Sequence, residues 1–225
     1  MASATARYPE LAHLYNWLRE EVEGLTDEQL DWDDQGQEWS KWSIRRQLSH
    51  IAYAYYFQMV LAWGKHFFKD RQKPQPFDPA GAAKYDRRLD EEVYWDLKDI
   101  LPQVENSINI AREVLSRLDE ADLSSITMDR RIPPDATFAN GYERIGPYME
   151  RAARCHAVGL EQDPRDPTLW HMQAVYIFQH MVWETLVHLN TIQRLKRAQG
   201  LPARVRVPKV GYLQDPWFRG EPASA

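Results

Sequence analysis

The stretch from Leu169 to Gln199, LWHMQAVYIFQHMVWETLVHLNTIQRLKRAQ, restricts the possible folds more than any other part of this chain. It holds no proline or glycine and presents apolar side chains in almost every direction. It stops at Gly200, Leu201 and Pro202, residues of the kind that end a helix. The pattern predicts one long helix buried in a helical core. Within it His180, Glu184 and His188 stand four residues apart, and side chains at that spacing project from nearly the same face, drifting by about 40° per step. A carboxylate among so many apolar neighbours is costly unless a cation meets it. The trio therefore reads as the larger part of a divalent metal site. One ion cannot take all three, because the outer two are roughly 12 Å apart along the axis. Spacing alone allows His180 with Glu184 or Glu184 with His188, the leftover histidine standing behind the ligands.

A catalytic site usually has three protein ligands and an open position, so one more ligand is needed from a facing helix. His50 is the candidate. Ser40 or Ser43 can cap a second helix that runs through LSHIAYAYYFQMVLAW to about Lys69. A first helix is predicted between Ala4 and Gly24 from Leu11, Leu14, Tyr15, Leu18 and Val22, followed by a capped turn at Thr26 to Gln29 and an acidic loop at Asp31 to Gln37. Prolines 74, 76 and 79 with Gly81 make a loop of Arg71 to Ala83. A third helix, Arg88 to Leu118, contains Pro102, which should kink or divide it. Residues 120–165 read as an insertion with a short strand at Ile126 to Ile132 and a shorter helix inside Gly141 to Gly159. Pro202 to Ala225 reads as an extended surface tail. The expectation is an all-α bundle over 1–200 with a tail over 201–225.

At 225 residues the chain suits one well-filled domain, and 44% hydrophobic residues with nine Trp and eleven Tyr argue against disorder. A net charge of −5 gives no electrostatic case for nucleic acid or an anionic membrane. No apolar run is long enough to span a bilayer and the first residues lack signal-peptide character, which with a single cysteine predicts a reducing cytoplasm. The expected partner is a small molecule. Cys155 beside His156 is no nucleophile pair, since adjacent helical residues point about 100° apart. Glu10 with His13 is a lone ExxH where a di-iron site needs two. Arg45, Arg46, Arg194 and Arg197, and a basic run through Lys196, Arg204, Arg206 and Lys209, read first as solvated or helix-end charge.

Trp42-Ser-Ile-Arg-Arg-Gln-Leu-Ser-His50 resembles the start of the second helix in the DinB-like (DinB/YfiT-like) metalloenzymes, and His180-Met-Val-Trp-Glu184-Thr-Leu-Val-His188 resembles their last, metal-bearing helix. The LTDEQLDW run is also similar. The resemblance implies a four-helix bundle of up-down-down-up topology, commonly a homodimer, with one divalent metal on His50, Glu184 and His188. Glu184 stands where the family pattern has histidine. Two imidazoles and a carboxylate suit zinc or nickel, with iron or manganese also open. Relatives include transferases and isomerases that use low-molecular-weight thiols, so the resemblance implies a metal-activated thiol or water attacking a small electrophile. Tyr53, Trp183 and Trp42, with the Glu38 to Trp42 loop, are the expected pocket wall. The alternatives are a non-catalytic, stress-associated binding protein on the same bundle with a structural or empty site, and a ferrous oxygenase.

Overall fold

The computed structural model describes residues 3–34, 41–69, 85–138 and 143–220. The expected loop over 71–83, the end of the acidic loop after 34 and the pocket loop from 38 to 40 lie outside these residues. The described chain is mostly helical, with a small three-stranded sheet. Its helices are α1 (Leu14–Val22), α2 (Asp27–Asp31), α3 (Ile44–Tyr56), α4 (Gly64–Phe67), α5 (Leu97–Ser116), α6 (Glu120–Ser125), α7 (Ile145–Cys155) and α8 (Ala174–Ala198).

Local chemistry accounts for the boundaries. Thr26 and Gln29 form a reciprocal capping box on α2, and Ser43, one of the two expected caps, caps α3 by accepting from the Arg46 N–H. At its C-terminus α8 closes as the sequence predicts: Gly200 takes φ +76° and the Leu201 N–H returns 2.8 Å to the Lys196 carbonyl. α3 packs on both α5 and α8, and α1 packs on α8 and α5. Leu14, Leu18, Ile44, Leu48, Tyr55 and Leu186 are fully buried between them. Each such side chain contributes about 1.5–3 kcal/mol on leaving water.

Four expectations are corrected. The helix containing the trio begins at Ala174, because Leu169–Gln173 is strand β3, paired antiparallel with β1 (Thr127–Arg131) on one side and β2 (Leu160–Gln162) on the other. Its burial alternates, Trp170 and Met172 inward and their neighbours less so, so cross-strand pairing overrides a composition that also fits a helix. The third helix begins at Leu97, not Arg88, and is not divided at Pro102; the proline is exposed, and water can satisfy the carbonyl whose helical bond it removes. The second helix does not reach Lys69 as one α-helix but passes into a π-helical segment, Phe57–Ala62. The tail is not confined to the surface. Its 3-10 turn at Gly211–Gln214 buries Tyr212 and Leu213.

One cause of that docking is a buried carboxylate at the far end of α8. Glu21 and Lys196 are both almost wholly shielded and ion-paired, and the Arg204 and Val205 N–H groups each donate to Glu21 Oε1 at 2.8 Å. Gln193 Nε2 donates to the same oxygen at 2.7 Å. Burial would raise the Glu21 carboxyl, but the hydrogen bonds from Lys196, Val205, Arg204 and Gln193 hold it below its ordinary value. Lys196 and Arg204 thus serve the fold.

Candidate metal centre

α3 and α8 lie face to face, and their contact brings His50 to Glu184 and His188. One ligand atom from each of the three lies within 4.8 Å of the others. His50 Nε2 is 3.4 Å and His188 Nε2 3.8 Å from the same oxygen, Glu184 Oε1. Two ligands about 2.1 Å from a tetrahedral ion stand about 3.4 Å apart, so the donor set fits a single divalent ion with little rearrangement. Side-chain exposures of 5% for His50, 15% for His188 and 21% for Glu184 make the carboxylate the most exposed of the three.

The outer contacts fix both imidazoles in the tautomer that a metal needs. His50 Nδ1 lies 2.7 Å from the Arg87 carbonyl, which only accepts, so Nδ1 carries the proton and the Nε2 lone pair faces Glu184. His188 Nδ1 lies 2.5 Å from Gln47 Oε1. The amide of Gln47 is itself oriented, since its Nε2 donates 3.2 Å to the Trp42 carbonyl. Burial would raise the Glu184 carboxyl, yet the imidazoles around it, His180 first, hold it well below the carboxylate range. Burial, aided by His188 and Arg87 and opposed by Glu184, pushes His50 down to about 4. At neutral pH the set is an anion with a neutral His50, the protonation a divalent ion requires.

On the side of Glu184 that faces His50, the nearer histidine of α8 is His188. His180 Nε2 instead meets the other oxygen, Glu184 Oε2, at 2.6 Å. Trp42 forms one wall, with its ring 4.6 Å from that of His50 and 6.2 Å from that of His188. Tyr53 stacks loosely on His50 at 6.5 Å. Trp183, expected beside the ligands, packs on the tail: its indole stacks on His156 at 4.5 Å, and a Cβ on Gly211 would come within 2.0 Å of it. One residue before Glu184 on a helix, it points about 100° away from it. Arg45 is spent on Asp27, Asp31 and the Trp95 carbonyl, and Arg46 on Glu91. Neither is offered to a substrate. A cleft of about 200 Å³ lined by Phe57, Gln58, Met128, Arg130 and Tyr176 lies against the sheet and includes none of the three ligand candidates.

Sequence reasoning missed three contributors. Gln47 had a signal, a polar residue one turn before His50 inside an apolar pattern. Arg87 had none, because it acts through its backbone carbonyl. Asp86 and Arg87 adopt φ +49° and +62°, a left-handed conformation costing on the order of 1 kcal/mol each for such residues, and Ser49 on α3 pins the segment by accepting the Leu89 N–H at 3.0 Å. The Arg87 guanidinium lies 5.3 Å from the Trp42 ring and 4.5 Å from that of Phe138, placing a cation at the rim. Tyr212 reaches the site from the tail.

No helix among the described residues is long and apolar enough to cross a membrane. No curated protein and no solved structure matches the chain. A family model described as the DinB superfamily matches residues 10–192, which includes α3, α8 and all three ligand candidates. The chain belongs to the DinB superfamily.

Proposed function

We propose that the protein is a mononuclear metalloenzyme in which His50, Glu184 and His188 hold one divalent ion, zinc or nickel before iron or manganese, on a four-helix bundle of the up-down-down-up kind. The observation that carries this reading is the convergence of His50 Nε2 and His188 Nε2 on one oxygen of Glu184, with both Nδ1 protons committed elsewhere. When bound, such an ion lowers the pKa of a coordinated thiol or water and so supplies a nucleophile at neutral pH. The reaction is then attack of a small thiol or water on a small electrophilic substrate, in a cytoplasmic protein that pairs as a homodimer.

The chain's own residues have separate tasks. Glu184 supplies the negative charge and, through Oε1, the ligand shared by both histidines. Gln47 and the Arg87 carbonyl hold the imidazoles in place. Trp42 shields one face of the pair from water, with the guanidinium of Arg87, ion-paired to Asp86 at 3.2 Å, over its ring. The non-catalytic alternative draws on the 2.6 Å contact of His180 with Glu184, which lets the cluster satisfy itself partly as a polar core network. Metal analysis of protein purified without a histidine tag separates the two readings. The enzyme reading expects about one equivalent of divalent metal, lost in His50→Ala with the circular dichroism unchanged; a wild-type protein that stays metal-free in excess metal overturns it.

A further inference from the structure

The 3-10 turn of the tail inserts Tyr212 behind the ligand trio, where it joins two histidines that the ligand set does not use. His180 Nδ1 lies 2.8 Å from the Tyr212 hydroxyl, and the same hydroxyl lies 2.9 Å from His156 Nε2. With the 2.6 Å contact of His180 Nε2 to Glu184 Oε2 the groups form one chain, His156–Tyr212–His180–Glu184. His156, Tyr212 and His180 are all buried.

The direction of the protons follows from the two ends. Glu184 only accepts, so His180 Nε2 must carry a proton. At the other end His156 Nδ1 is buried and has no hydrogen-bond partner among the described residues. A buried N–H with no acceptor is costlier than a bare lone pair, so the His156 proton sits on Nε2 and is donated to the Tyr212 oxygen. The Tyr212 O–H is then free to donate to His180 Nδ1, which leaves Nε2–H for Glu184. Every donor points toward the carboxylate, and such a chain polarises along its length.

We infer that Tyr212 is a positioning residue of the metal centre: the docked tail fixes His180 as its Nε2–H tautomer, which occupies Glu184 Oε2 and leaves Oε1 as the single oxygen facing His50 and His188. The C-terminal segment is thereby part of the site. Its seat is built for the purpose of close approach, since Gly211 takes φ +52° directly against the Trp183 indole, where any Cβ would collide. The consequence for metal binding rests on the reading given above; the tautomer does not.

The test uses the full chain and Tyr212→Phe, which keeps the ring packing of Tyr212 on Phe218 and Trp183. In the metal-free protein, long-range ¹H–¹⁵N spectra of the imidazoles should show His180 as the Nε2–H tautomer, shifting to a mixture or to Nδ1–H in the variant. Cobalt(II) titration should show about tenfold weaker binding in the variant with a changed visible spectrum, as a freed Oε2 alters the carboxylate's coordination. A wild-type His180 that is Nδ1–H or doubly protonated, or a variant with the same tautomer and the same cobalt spectrum, overturns the inference. If the wild type binds no cobalt, the metal reading fails while the imidazole spectra still decide the role of Tyr212.

Discussion

Replacing Gln47 by leucine removes one hydrogen-bond acceptor, one donor and very little volume. In the structure Gln47 Oε1 is 2.5 Å from His188 Nδ1 and its Nε2 is 3.2 Å from the Trp42 carbonyl. Leucine leaves the His188 Nδ1–H without an acceptor in a largely buried position, which costs about 1–3 kcal/mol of fold stability. It also lets the ring turn or exchange tautomers, so that Nε2 no longer presents its lone pair to Glu184. Losing such an outer partner of a ligating histidine typically weakens metal binding by about 10–100-fold, equivalent to about 1.4–2.8 kcal/mol at 1.4 kcal/mol per decade. Competition against a chromophoric chelator at neutral pH measures this directly. Gln47→Glu is the companion variant, because a carboxylate at the same place still accepts from Nδ1; it should recover most of the affinity that leucine loses. A folded Gln47→Leu protein that binds zinc as tightly as wild type refutes the reasoning that the amide holds His188 as a ligand.

Other perturbations address the scaffold and the sheet. Lys196→Met leaves the Glu21 carboxylate buried without its cation, and denaturant unfolding should show a loss of about 3–5 kcal/mol. Because the folded Glu21 pKa is depressed, its contribution is present above the ordinary glutamate pKa and lost as pH falls through the folded value. The wild-type stability advantage over Glu21→Gln should therefore shrink on acidification and hold steady at neutral pH. On β3, His171 bridges Asp129 at 2.8 Å and Asp163 at 3.3 Å, and those bonds raise its pKa. Its contribution is complete below the ordinary histidine pKa and is lost as pH rises through the raised folded value, so the Tm difference between wild type and His171→Gln should narrow on going from mildly acidic to alkaline buffer. A difference that widens instead contradicts the clasp.

The candidate ligands were legible because their cost was legible: a carboxylate and imidazoles at helical spacing in an apolar run stand out against the background that would bury them. The choice between His180 and His188 was not, since both lie one turn from Glu184 and only the approach of α3 distinguishes Oε1 from Oε2. Caps at Thr26 and Gly200 were local and therefore visible. Leu169–Gln173 misled because its full-length partner, Thr127–Arg131, lies about forty residues away, and the strand close to it in sequence, Leu160–Gln162, is only three residues long. Tyr212 was hidden for the same reason. A tail rich in proline and weak in periodicity gives no hint that one hydroxyl meets two histidines, whereas the folded chain supplies the pull through Glu21, which receives the backbone of Arg204 and Val205.

The most direct measurement is an anomalous difference map from crystals soaked in zinc or nickel, collected on either side of the metal edge. The account predicts one peak per chain bonded to His50 Nε2, Glu184 Oε1 and His188 Nε2, with His180 and Tyr212 hydrogen-bonded behind it. A peak held by His180 and Glu184 without His50, or no peak at the cluster in metal-saturated crystals, contradicts it.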